Sequence, residues 1–210
     1  MRIRFLRCNK IIIAVFMLAI IALVNVKVKA QNVENIYDLA LDENLYQPQL
    51  GKTSDVIAEF QLSTARALKR EGNTVELMRS GEVIVVTVGA SQLFDPCSTV
   101  LSELGAMVLK PFTKYLATPG LYKMILVMHS DNTGSAEYTL ELTQARVDAV
   151  YDWFDANAAA DYVVPYALGS IEPLYPNNSV ENRKANRRLE IYLVPGYTMI
   201  EQAKSGKISL

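Results

Sequence analysis

From residue 54 onward, hydrophobic and polar positions alternate in blocks that predict a definite order of strands and helices. Ser54 to Arg70 carries Val56, Ile57, Phe60, Ala67 and Leu68 at approximate helical spacing, with Ser54 as N-cap and Gly72 as the stop. Thr74–Met78 and Glu82–Val88 are β-rich runs flanking Arg79-Ser80-Gly81, a hairpin signal. The second run is nearly all β-branched and lacks clean alternation, which predicts a strand covered on both faces. After a loop at Ser91–Cys97, apolar Val100, Leu101, Leu104, Met107, Val108, Phe112 and Leu116 predict a helix from about Ser98 to Ala117 with one buried stripe. Pro111 removes a backbone donor and clashes with the preceding turn, so a break is expected near Leu109–Lys110.

Leu121–Met128 is the next apolar strand, and Ser130–Gly134 is a polar loop. A second helix is predicted over Ser135–Ala158, its stripe formed by Tyr138, Leu142, Ala145, Ala149, Val150, Trp153 and Phe154. Tyr162–Leu168 reads as a strand, Gly169–Ala185 as a long loop rich in Pro and Asn, and Asn186–Val194 as the last strand. There Leu189, Ile191 and Leu193 share a face with Arg187, and Arg188, Glu190 and Tyr192 share the other. Strands linked through helices pair in parallel, while the last two, joined by a loop, can pair antiparallel. The predicted fold class is an α/β (α+β) sandwich: a βαβαβ-β mixed sheet with two helices on one side, preceded by a short helix and a hairpin strand.

The first 30 residues change the picture. A basic start, Met1–Lys10, precedes fourteen uncharged apolar residues, Ile11–Val24, and Val28-Lys29-Ala30 offers a cut before Gln31. The pattern predicts a signal peptide over 1–30. The competing reading, a retained anchor, needs a longer apolar run, about 20 residues. Six of the 21 basic residues lie in this leader, which has no acid, so 15 remain against 22 acidic ones. An acidic exported chain has no general attraction to nucleic acid. Cys8 lies in the leader, leaving Cys97 alone, expected as a partly buried free thiol with no disulfide partner. One histidine, His129, excludes a His-cluster metal site and is expected as a hydrogen-bonded spacer. No nucleophile–base pair can be named, so the chain is read as no enzyme, with no cofactor and no metal.

Candidate chemistry gathers in His129–Arg146. Asp131 sits in the polar loop and Arg146 lies 15 positions on, along the helix. A folded-back loop could bring the two side by side, a pair that suits a small zwitterion. Downstream, Asn186-Arg187-Arg188-Leu189-Glu190 opens the last strand.

With Leu93-Phe94-Asp95, Ser130-Asp131-Asn132-Thr133-Gly134, Leu142-Thr143-Gln144-Ala145-Arg146 and Asn186–Glu190 in this order, residues 82–194 resemble the OmpA-like (outer-membrane protein A C-terminal) peptidoglycan-binding domain family. The resemblance implies that Asp131 and Arg146 grip the diaminopimelate of the peptidoglycan stem peptide. It implies supporting positions at Asp95 and Arg187. Thr139 stands where the family often has Asn, and Pro96 after Asp95 is a departure. The physical fit is direct: Asp131 can accept from an ammonium, and Arg146 can present a two-pronged donor to a carboxylate. Arg188 is expected to be structural. The resulting division is 1–30 signal peptide, 31–80 N-terminal extension, 81–196 OmpA-like domain and 197–210 tail.

The expected function is non-covalent anchoring of the envelope, or of an envelope complex, to peptidoglycan from the periplasm or the outer membrane. Residues 31–80 would couple to envelope proteins or to a homodimer partner. The alternative is a structural or assembly protein of the envelope that keeps the fold without binding peptidoglycan.

Overall fold

In the computed structural model the described residues are 39–45 and 50–208. The expected signal peptide and the first part of the extension lie outside them. Among the described residues no helix is long and apolar enough to cross a membrane. The chain divides into two units between Asn44 and Leu45. The short helix α1 (Leu41–Leu45) spans that boundary, and Glu43 accepts from the Ala40 amide at 3.3 Å.

In the second unit the order is α2 (Thr53–Arg70), β1 (Thr74–Met78), β2 (Val83–Gly89), α3 (Ala90–Leu93), α4 (Glu103–Leu109), β3 (Tyr122–His129), α5 (Ala136–Asn157), β4 (Val163–Gly169), α6 (Val180–Asn186), β5 (Arg188–Pro195) and α7 (Tyr197–Lys204). The strands form one sheet in the order β1-β2-β5-β3-β4. β3 and β4, joined through α5, are parallel, and the other pairs are antiparallel. The last two strands are not neighbours: β5 inserts between β2 and β3, pairing Ile191 with Val86 on one side and Leu126 on the other. Every residue of β5 is buried.

One sheet face carries Ile84, Val86, Val88, Met124, Leu126 and Met128, with the alternate residues of β5 in register. These join Leu68 of α2, Phe112, Phe154 of α5 and Met199 of α7 in a single core. Helix α2 and the hairpin strand β1 therefore belong to the sandwich rather than to a separable extension, and residues 197–204 are a packed helix, not a tail. Ser54 is not the cap of α2. The helix starts at Thr53, and the Ser54 hydroxyl donates to the Glu82 carboxylate.

The segment after β2 departs furthest from expectation. Residues 90–93 form a helical turn instead of loop, and α4 starts only at Glu103, where the Ser102 hydroxyl accepts from the Gly105 amide at 2.9 Å. At Lys110 the α-helix gives way to a 3-10 helix (Lys110–Tyr115), as Pro111 requires. Val100, Leu104 and Met107 are exposed, contrary to the predicted buried stripe. Gly105 is what lets α4 lie on α3: a Cβ there would stand 2.6 Å from the Leu93 carbonyl oxygen and 2.9 Å from its Cα, both backbone atoms. Gly105→Ala is expected to cost about 1–3 kcal/mol through overpacking, read as a lower denaturant midpoint with an unchanged slope.

The inward face of α5 also differs. Thr139, Thr143, Arg146, Val147, Val150 and Phe154 are buried, whereas Tyr138 and Ala145 are exposed. The polar members fit because their groups are paired. Thr143 donates to the Thr139 carbonyl at 2.9 Å and accepts from the Gly169 amide at 3.0 Å. Residues 180–185, expected as loop, and Asn186, expected to open the last strand, form α6, capped by Ser179 accepting from the Asn182 amide at 3.0 Å.

Candidate functional site

The carboxyl ends of β2 and β3, the start of α5 and the residue before β5 meet around a cavity of about 410 Å³. Asp95, Asp131, Arg146 and Arg187 all line it. Two carboxylates and two guanidiniums, drawn from between positions 95 and 187 of the chain, thus share one opening.

Asp131 is held by the loop that follows β3. The Ser130 amide donates to the Gly169 carbonyl at 2.7 Å, which fixes the strand exit. One Asp131 oxygen accepts from the Thr133 amide at 2.8 Å, and the other accepts from the Arg187 guanidinium. Burial pushes the Asp131 carboxyl up, but the Thr133 bonds and the Arg187 charge outweigh it and hold it below the usual carboxylate range. Asp131 is thereby ionised and only partly saturated, because a carboxylate accepts at about four lone-pair sites.

In this structure Asp131 pairs with Arg187 and not with Arg146. Arg146 is 7% exposed, its Nε donates to the Ser98 carbonyl at 2.9 Å, and its Cζ lies 5.1 Å from the centre of the Phe94 ring. Its two terminal nitrogens have no acceptor among the described residues, so the fork is fixed at its base and available at its tips. Burial lowers the pKa of this guanidinium, which stays charged throughout the ordinary range.

The Pro96 departure acquires a role here. The Asp95 carbonyl accepts from the Ser98 amide at 3.0 Å, Pro96 follows Asp95, and Cys97 has φ of 60°. Proline second and a positive φ third are the marks of a type II turn. The turn carries the Ser98 carbonyl to Arg146 and leaves Cys97 exposed, not partly buried. The Asp95 carboxylate has no partner among the described residues.

Three other expectations resolve differently. Thr139 does not reach the cavity: it is fully buried and its hydroxyl donates to the Ala136 carbonyl at 3.0 Å. His129 makes no hydrogen bond through either ring nitrogen, and its Nε2 stands 3.5 Å from Glu190. Tyr138, expected in the core, is exposed at the cavity rim beside Leu142. Its place at the start of α5, four residues after Gly134, was the available signal. Among the described residues no acidic, His or Cys cluster could hold a metal ion. Arg188 is structural as expected: it is buried and its Nε donates to Glu190 at 2.7 Å.

No protein-family model matches the chain. It is 28% identical over 128 residues to the Escherichia coli K12 protein named Probable lipoprotein YiaD, across 60% of this chain and 58% of that one. It is 38% identical over 64 residues to the peptidoglycan-binding protein ArfA of Mycobacterium tuberculosis H37Rv, across 30% of this chain and 20% of ArfA. The chain thus spans little more than half of the first relative and a fifth of the second. Among solved structures, a MotB-like protein from Desulfovibrio vulgaris superposes with TM-score 0.59 and 24% identity, over 67% of this chain and 94% of that one. The cell wall anchor of the T6SS from Pseudomonas aeruginosa superposes with TM-score 0.52 and 26% identity, over 62% and 93%. Sheet order, ordered motifs and these likenesses agree that the chain resembles the OmpA-like peptidoglycan-binding domains and has their fold.

Proposed function

We propose that this chain is an envelope protein whose OmpA-like domain binds peptidoglycan non-covalently, gripping the diaminopimelate of the stem peptide. The observation that carries the reading is Arg146: a buried guanidinium engaged only at Nε, with its tips open to a cavity that also holds two carboxylates. The free centre of diaminopimelate bears an ammonium and a carboxylate on one carbon. Its carboxylate meets the Arg146 fork in a bidentate pair. Its ammonium meets the unused acceptor sites of Asp131, with Asp95 across the opening. Arg187, 39% exposed along its side chain, balances Asp131 until the ligand arrives. Two negative and two positive groups give the cavity no formal net charge, which suits a zwitterion and disfavours a simple anion or cation. Single sites need not be tight, because a wall of repeated ligands holds an array of modules firmly. On this reading the protein works in the periplasm against the wall, binding and anchoring without turnover, in association with the outer membrane.

Co-sedimentation of the chain from Gln31 with purified diaminopimelate-type peptidoglycan tests this. The protein is expected to pellet and to be released by free meso-diaminopimelate but not by 1,5-diaminopentane, which lacks the carboxylates. Asp131→Ala is expected to remain soluble while keeping its melting curve. Wild-type protein left in the supernatant overturns the reading.

A further inference from the structure

Beside the charged cavity runs a second one of about 430 Å³. The two share Ser91, Phe94 and Asp95, so they adjoin. The far wall is α4, which contributes Leu104 and Met107, 68% and 60% exposed, with Val108 beside them. A short amphipathic helix normally turns its large apolar residues to the core. Here α4 turns Gly105 and Leu109 inward instead, and the close seat of Gly105 on Leu93 holds Leu104 and Met107 out along the groove. At the shared boundary the Ser91 hydroxyl and the Asp95 carboxylate have no hydrogen-bond partner among the described residues, which leaves one donor and several acceptors for a peptide amide.

We propose that this groove is a second subsite for the same ligand, taking the aliphatic part of the peptide next to the clamped zwitterionic centre. Its occupant is the methyl side chain of the small residue that adjoins diaminopimelate in the peptide, with the peptide bond that joins the two. A ligand anchored on Arg146 and Asp131 has to leave the first cavity, and this is an exit with an apolar wall and a polar sill. The proposal rests on the diaminopimelate reading and adds that the protein reads a peptide and not an isolated amino acid.

The test is isothermal titration of the protein with free meso-diaminopimelate and with the stem tetrapeptide L-Ala-γ-D-Glu-meso-diaminopimelate-D-Ala. Withdrawing roughly 60 Å² of ligand and wall from water is worth about tenfold in affinity, so the tetrapeptide is expected to bind about tenfold more tightly. The double variant Leu104→Gln/Met107→Gln changes exposed residues and is expected to bring the tetrapeptide close to parity while leaving free diaminopimelate unchanged. Equal affinity of the wild type for both ligands overturns the subsite, as does a variant that weakens both alike. A wild type that binds neither overturns the clamp itself, and the subsite with it.

Discussion

Arg146→Ala is expected to abolish retention on diaminopimelate-type peptidoglycan, with affinity falling about 30- to 1,000-fold, the usual consequence of truncating one partner of a buried charge pair. The size follows from the site. The side chain is 7% exposed and sunk into the cavity wall, so its field acts on a bound carboxylate with less screening by water than at an open surface. Its orientation is already fixed by the Ser98 carbonyl and the Phe94 ring, so little freedom remains to be lost on binding. Arg146→Lys keeps the charge but cannot donate at once to Ser98 and to both oxygens of a carboxylate, and about tenfold weakening is expected. Titration calorimetry on the three proteins, with melting curves as the control, measures both steps. Equal binding by the lysine variant would show that charge alone matters and that the fork does not.

Glu190→Ala is expected to destabilise the domain by about 3–5 kcal/mol, the usual consequence of stranding a buried charge, and to lower the melting temperature by roughly 10 °C. Glu190 is the hub of a buried polar set on the second sheet face. One oxygen accepts from Arg188 Nε at 2.7 Å, the other from the Tyr192 hydroxyl at 2.5 Å. Without it, buried Arg188 keeps only the Asn186 and Glu172 carbonyls, at 3.2 and 3.3 Å. The pair also sets an acid limit. Burial pushes the Glu190 carboxyl up, but the approach of His129 to 3.5 Å, the bond from Tyr192 and the Arg188 charge bring it down to about 2. In the unfolded chain it titrates near ~4.3. Between those values the unfolded state binds more protons, so stability rises with pH across the window. The Glu190 contribution is complete above about pH 4.3 and is lost as pH falls toward 2. Glu190→Gln is expected to remove this part of the acid dependence. A variant with the wild-type acid profile would place the dependence elsewhere.

The strands were legible because their apolar runs are long and their breaks are chemically marked. Pro111 likewise announced the change of helix type at Lys110. What the pattern misjudged was direction. On α5, an apolar count favours Tyr138, Leu142 and Ala145, yet the inward face takes Thr139, Thr143 and Arg146, whose polar atoms are paired locally or turned into the cavity. Hydrophobicity alone cannot register such pairing. On α4, Leu104 and Met107 had the spacing of core residues, and only the tight seat of Gly105 explains why they face out. Of the candidate site residues, Asp95, Asp131, Arg146 and Arg187 do converge on one cavity and Thr139 does not. The pairing inside that cavity was not legible, because Asp131 takes Arg187 from a distant strand entry in preference to the arginine on the adjoining helix. The helices at residues 180–186 and 197–204 escaped notice because seven or eight residues carry too few turns for a period to show.

The place of β5 in the sheet has a consequence for biogenesis. The last strand among the described residues is the central one, hydrogen-bonded on both sides. Before residues 188–195 arrive, β1-β2 and β3-β4 are separate two-stranded pieces, and such pieces are marginal in water. A nascent chain therefore carries no competent sheet until residues 188–195 have been synthesised. On the export route expected from residues 1–30, late closure of this kind would keep the chain from folding before it has crossed the membrane.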